Sequence, residues 1–146
     1  MKLRNALAVA VLLFLFCLAS SSFAQEAPYT QGSVWSITLV KVKPGMLDDY
    51  LKNLIGLQKK AMEQAKKEGL VLSYKVISAS AANKDDWNLM LMTEYKNMAA
   101  LDEVDAKFRA ILPKLVREEE QKKGVQARAE MREIIGDKLG RELILK

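Results

Sequence analysis

Between Pro44-Gly45 and Gly69 the chain repeats apolar side chains every three or four residues: Leu47, Tyr50, Leu51, Leu54, Leu57, Ala61, Met62 and Ala65. That spacing predicts one amphipathic helix over 46–68. Lys66 and Lys67 suit its negative C-terminal end, and Gly69 stands where a left-handed residue closes a helix. Runs rich in β-branched and aromatic residues flank it, 33–43 before and 70–80 after, and both predict strands. A one-sided helix between two strands must lie across a sheet to bury its stripe.

The remainder extends that pattern. Ala81 to Asp86 is a polar turn, and 87–95 predicts a third strand, giving a hairpin with a loop longer than two residues. Asn97 can cap a second helix that buries Leu101, Val104, Phe108, Ile111 and Leu112. Pro113 is expected to kink or restart it. Glu118 and Glu119 precede Lys122 and Lys123 by four residues, the favourable order for ion pairs on a solvated helix face. Val125, Ala127, Ala129 and Met131 alternate as in a strand, yet the residue types of 125–135 are helix formers, and helix is the expectation. Residues 142–146 predict a short closing strand. The order β-α-β-β-α-β predicts an α+β, ferredoxin-like split βαβ fold with an antiparallel sheet and an extended C-terminal helical region.

Alternation divides each strand into two faces. One face carries Trp35, Ile37 and Leu39, then Leu70, Leu72, Tyr74 and Val76, then Trp87, Leu89, Leu91 and Tyr95. It is expected to lie under the helices as the core. The other carries Ser36, Thr38, Val40 and Val42, then Val71, Ser73, Lys75 and Ile77, then Asn88, Met90, Met92 and Glu94. That face is half apolar, whereas a sheet face left to water is mainly polar. The expected remedy is a second copy, sheet against sheet, with an isologous interface.

The N-terminus bounds the setting. Lys2 and Arg4 precede an uncharged apolar run of 13 residues, Ala6 to Leu18, and Ser22 and Ala24 occupy the small-residue positions before a cleavage site. This is the pattern of a secretory signal peptide over 1–24, too short for a membrane span. The expectation is therefore an exported protein, periplasmic or secreted, with no stable membrane anchor after cleavage. A polar lead, 25–32, is expected to be flexible, and one domain fills 33–146. Phe16 before Cys17 is not the small residue that a lipid-modified cysteine requires, so Cys17 is read as lost on cleavage. Two of the 23 basic residues and none of the 18 acidic ones precede Gln25, so the net charge falls from +5 to +3. So small an excess does not point to nucleic acid. With no histidine anywhere and no mature cysteine, His-ligated zinc or haem, thiolate sites and a Ser-His-Asp triad are excluded. No metal and no cofactor is expected.

Val40-Lys41-Val42-Lys43-Pro44-Gly45 running into Met46-Leu47-Asp48-Asp49-Tyr50-Leu51 resembles the dimeric α/β-barrel superfamily. In that group a strand ending in Lys-Pro-Gly leads to a helix with an aromatic near its second turn, the place Tyr50 takes. The resemblance implies ferredoxin-like domains paired through their sheets. The superfamily includes cofactor-independent monooxygenases, haem-degrading and peroxidase-like enzymes, lactone isomerases and members with no known activity. The absence of histidine sets this chain apart from the haem enzymes.

The candidate site is the mixed sheet face: Ser36, Thr38, Ser73, Lys75, Asn88, Met90, Met92 and Glu94, lining a cavity for a small, partly apolar molecule. Lys75 and Glu94 can pair there, and Met90 and Met92 can adapt to apolar ligands or pack an interface. Trp35, Tyr74 and Trp87 are read as core packing. Asp85 and Asp86 lack a third ligand for a metal. Arg128, Arg132 and Arg141 could grip an anion, but salt bridging with Glu130, Glu133 and Glu142 is the simpler expectation. The leading functional expectation is a ligand-binding homodimer. The alternatives are an enzyme of the cofactor-independent monooxygenase or isomerase type, and a structural or interaction protein that docks through its charged helices.

Overall fold

The computed structural model describes residues 26–146; the segment expected to be a signal peptide, 1–24, lies outside the described residues. Strand β1 (Tyr29–Val42) leads through the Lys-Pro-Gly turn into helix α1 (Leu47–Asn53), which passes through a π-helical stretch (Leu54–Gln58) into α2 (Lys59–Lys67). Strands β2 (Ser73–Ser78) and β3 (Leu89–Tyr95) form the hairpin. A 3-10 turn (Met98–Ala100), α3 (Leu101–Leu115) and α4 (Glu118–Met131) return the chain to β4 (Arg132–Leu145). The sheet order is β2-β3-β1-β4, with every neighbour antiparallel. This is the ferredoxin-like βαββαβ arrangement.

The punctuation read from the sequence is in place. Gly45 has φ of 77° and Gly69 φ of 70°, the left-handed region that glycine enters without strain. Gly69 N–H bonds to Lys66 O and Leu70 N–H to Ala65 O, the paired bonds of a Schellman closure, and Leu70 packs in the same buried cluster as Ala65. Asn97 accepts from Ala100 N–H at 3.0 Å and caps the turn that opens α3. Glu118 and Lys122 pair at 2.7 Å on an exposed face.

Several boundaries differ from expectation. Strand β1 begins at Tyr29 rather than Ser33, because its first residues pair with Leu143 to Leu145. Helix α3 runs through Pro113, whose missing N–H leaves one turn unbonded, and stops two residues later, at Leu115. Helix α4 continues through Gly124 and ends at Met131. Strand β4 spans 14 residues where only 142–146 was expected, since pairing along almost all of β1 outweighs its weak alternation.

The largest correction concerns the faces of β1. Directly opposed residues of an antiparallel pair share a face. Trp35, Ile37 and Leu39 stand opposite Glu94, Met92 and Met90, and Ser73, Lys75 and Ile77 stand opposite the same three residues from the other side. The open face is therefore Trp35, Ile37, Leu39, Ser73, Lys75, Ile77, Met90, Met92 and Glu94. The helix face takes Val34, Ser36, Thr38, Val40 and Val42 with Leu89, Leu91, Thr93 and Tyr95. Two buried clusters result: Val34, Ala65, Leu70, Val71, Tyr95 and Ile111 under α3, and Val40, Val42, Tyr50, Leu54 and Leu89 under α1. The three large aromatics share no face: Trp35 is on the open side, Tyr74 pairs with Thr93 on the helix side, and Trp87 precedes β3.

Asn88 also departs from its candidate role. Its Oδ1 accepts from Val42 N–H at 2.8 Å, and its Nδ2 donates to Val42 O at 3.0 Å. Both bonds pin the end of β1 just before the Lys-Pro-Gly turn, where Val42 is buried. Replacing Asn88→Ala leaves two backbone groups unanswered and should lower stability by about 1–3 kcal/mol in urea unfolding. A change within about 0.5 kcal/mol, the size of an ordinary surface substitution, contradicts the clamp.

Candidate functional site

Helices α1 and α2, with the π-helical stretch between them, leave a cleft over β2 and β3. A cavity of about 260 Å³ occupies it, lined by Leu51, Leu54, Ile55, Met62, Val76 and Leu91 among others. The π-helical stretch supplies Leu54, Ile55 and Gln58 to this wall. A π turn widens the helix by one residue and is frequent at functional sites. The lining is almost wholly apolar, as small-molecule cavities are.

Tyr74 stands at the cavity's edge and donates from its hydroxyl to Glu63 Oε1 at 2.5 Å. The hydrogen bond to Glu63, then burial and the carboxylate's charge, push the phenol up to about 12. The Tyr74 hydroxyl thus stays protonated across the physiological range and serves as a donor, not a base.

A second chamber of about 210 Å³ adjoins the first, and the two share Leu54, Gln58 and Leu91 as wall. Its remaining walls are Thr38, Arg128, Arg132, Ile134 and Asp137. Thr38 Oγ1 donates to Asp137 Oδ1 at 2.6 Å. Arg132 Nη1 donates to Tyr50 Oη at 2.6 Å, and its guanidinium lies 5.6 Å from the Tyr50 ring centre, within cation–π range. Tyr50 itself is fully buried. Arg128 is only 9% exposed, and its Nη1 has no hydrogen-bond partner among the described residues. Burial, then the neighbouring Arg132 charge, pull the Arg128 guanidinium below its ordinary pKa, with Tyr50 opposing.

The eight candidate residues are therefore divided by the sheet. Ser36 and Thr38 lie on the helix side, Thr38 in the polar chamber. Asn88 is a backbone clamp. Ser73, Lys75, Met90, Met92 and Glu94 share the open face. There Glu94 accepts from Ser73 Oγ at 2.5 Å. The Ser73 hydroxyl first, then Ser33 and the more distant Lys75 charge, hold its carboxyl below the usual range against a small desolvation effect. Lys75 makes no ion pair with Glu94; its Nζ sits 5.1 Å from the Trp35 ring centre. A shallow apolar depression over Trp35, Ile37, Met92 and Gly140 marks this face.

The arginines do not make the salt bridges expected of them. None of the three pairs with a glutamate among the described residues: Arg128 is unanswered at Nη1, Arg132 holds Tyr50, and Arg141 bonds Gln31. No signal in the sequence marks Arg128 as buried, because only the path of β4 brings the end of α4 over the sheet. Asp86 serves its own loop, accepting from Ala82 N–H at 2.8 Å and Trp87 N–H at 2.9 Å.

No protein-family model matches the chain, and no curated protein matches it either. Solved structures do. HapK from Hahella chejuensis is 15% identical, with a TM-score of 0.50 over 75% of this chain and 91% of that one. A dimeric protein of unknown function and ferredoxin-like fold from Bacteroides fragilis is 20% identical, with a TM-score of 0.41 over 81% of this chain and 100% of that one. A dimeric ferredoxin-like protein from an uncultured marine organism is 10% identical, with a TM-score of 0.48 over 80% and 90% of the two chains. Identities this low speak to fold alone, and the likeness to HapK extends over three quarters of this chain.

Proposed function

We propose that this chain binds a small, partly apolar molecule in the cleft between α1–α2 and β2–β3, as a homodimer joined through the open sheet face. The observation that carries the ligand reading is the roughly 260 Å³ apolar cavity, walled on one side by an irregular helix. Regular helical packing over the same strands closes such space, because interiors are packed to crystal-like density. An apolar fluorescent dye should bind with saturable enhancement. Leu91→Trp, which fills the cavity from its sheet side, should reduce that affinity at least tenfold with the circular dichroism spectrum unchanged. Undiminished binding to the Leu91→Trp protein places the dye elsewhere and removes the reading.

The dimer reading rests on the corrected open face. Trp35, Ile37, Leu39, Ile77, Met90 and Met92 gather on one side of the sheet, with Ser73, Lys75 and Glu94 the polar members contributed by β2 and β3. Apolar burial is worth about 25 cal/mol per Å², so covering this stripe is a substantial driving force. The two-fold copy of the same stripe is its natural cover. Sedimentation equilibrium should give twice the chain mass for the wild type. Ile37→Glu, which puts a carboxylate at the centre of that face, should give the single-chain mass without unfolding. A monomeric wild type excludes the interface.

Export completes the proposal. Protein recovered from its own source should begin at Gln25 by N-terminal sequencing, and a mature chain that retains Lys2 and Arg4 excludes cleavage.

A further inference from the structure

The polar chamber holds a cation that the protein itself leaves unanswered. Arg128 is about nine-tenths buried, lines the chamber, and keeps Nη1 without a hydrogen-bond partner among the described residues. Leaving a buried charged group unpaired is costly, and such groups are normally paired. The neighbours are already committed: Arg132 donates to Tyr50, and Asp137 accepts from Thr38. No ion pair within 4.0 Å joins Arg128 to Asp137 or to any other described carboxylate. Two arginines against one aspartate leave the chamber one positive charge in excess. That balance fits a singly charged anion better than a doubly charged phosphate. A planar guanidinium with a free N–H matches a carboxylate in geometry as well as charge.

The chamber shares Leu54, Gln58 and Leu91 with the apolar cavity. An anion at Arg128 therefore has an apolar space beside it. We infer that Arg128 anchors the carboxylate of an amphipathic monocarboxylic acid whose hydrocarbon part occupies the apolar cavity. The inference deepens the ligand-binding reading and rests on it.

The test compares octanoate with 1-octanol, which share a chain length and differ in head group, by titration calorimetry on the full mature protein. The wild type should bind octanoate at least about tenfold more tightly, the scale of a charge-assisted hydrogen bond. Arg128→Met should bring octanoate down to the octanol level and leave octanol within about twofold of wild type. The unliganded Arg128→Met protein should also melt at a higher temperature, since an unanswered buried charge is gone; an arginine with a merely structural role lowers it instead. Arg128→Lys, which keeps the charge without the fork, should retain only part of the octanoate preference. If Arg128→Met fails to fold, the wild-type ratio alone decides. Equal affinity for the two ligands overturns the carboxylate anchor and leaves the apolar cavity standing. Binding of neither ligand overturns both.

Discussion

The pairing of β1 with β3 governs the rest of the molecule. With Trp35 opposite Glu94 and Val40 opposite Leu89, Val40 and Val42 turn toward the helices and meet Tyr50, Leu54 and Leu89. A slip of one residue exchanges the two faces entirely. Tyr50 then carries the effect onward. Its hydroxyl takes the hydrogen bond of Arg132, the first residue of β4, and so fixes the junction where α4 ends and β4 begins. Arg128 sits one turn before that junction. The position of the buried guanidinium thus follows from the seating of one strand and one tyrosine.

What could be read in advance was what short-range chemistry decides. Gly45, Gly69 and Asn97 each satisfy a local backbone requirement, and each was legible from its neighbours in sequence. The two helices and the hairpin followed from periodicity. The face of β1 was not legible, because Val34, Val40 and Val42 on one side and Trp35, Ile37 and Leu39 on the other are both apolar. The side of β1 that carries Ser36 and Thr38 turns toward the helices, so the rule that the more apolar side lies under them points the wrong way. Strand β4 was largely missed for a related reason. Its Gly136 and Gly140 and its scattered charges give no alternation, and its extended form comes from pairing with β1. The candidate site inherited the error in β1: its polar members were assigned to one face, while the sheet separates Thr38 from Lys75 and Glu94.

The corrected faces give the sheet two distinct apolar surfaces. The helix side is interrupted by a cleft with one apolar and one charged compartment. The open side is continuous, and its polar groups are partly engaged with one another, Ser73 with Glu94 and Lys75 with the Trp35 ring. Fold alone assigns no chemistry to either surface. The distinction between them comes from side chains, above all from the buried Arg128 charge left without a hydrogen-bond partner on the helix side.

The π-helical stretch at Leu54–Gln58 sets the angular phase between α1 and α2. Successive α-helical residues are about 100° apart around the axis, so the widened turn offsets Lys59–Lys67 relative to Leu47–Asn53. Tyr50 and Leu54 face one buried cluster, and Ala65 faces the other. Because a π turn holds one residue more than an α turn, the loss of one residue from this stretch restores a regular turn and leaves Ala61, Met62 and Ala65 facing the sheet. The irregular turn is thus the wall of the cleft, carried by a helix that serves two cores. A change in sequence that removes the extra residue takes away that wall and leaves the interior in place, so the shape of the pocket and the integrity of the hydrophobic interior are inherited separately.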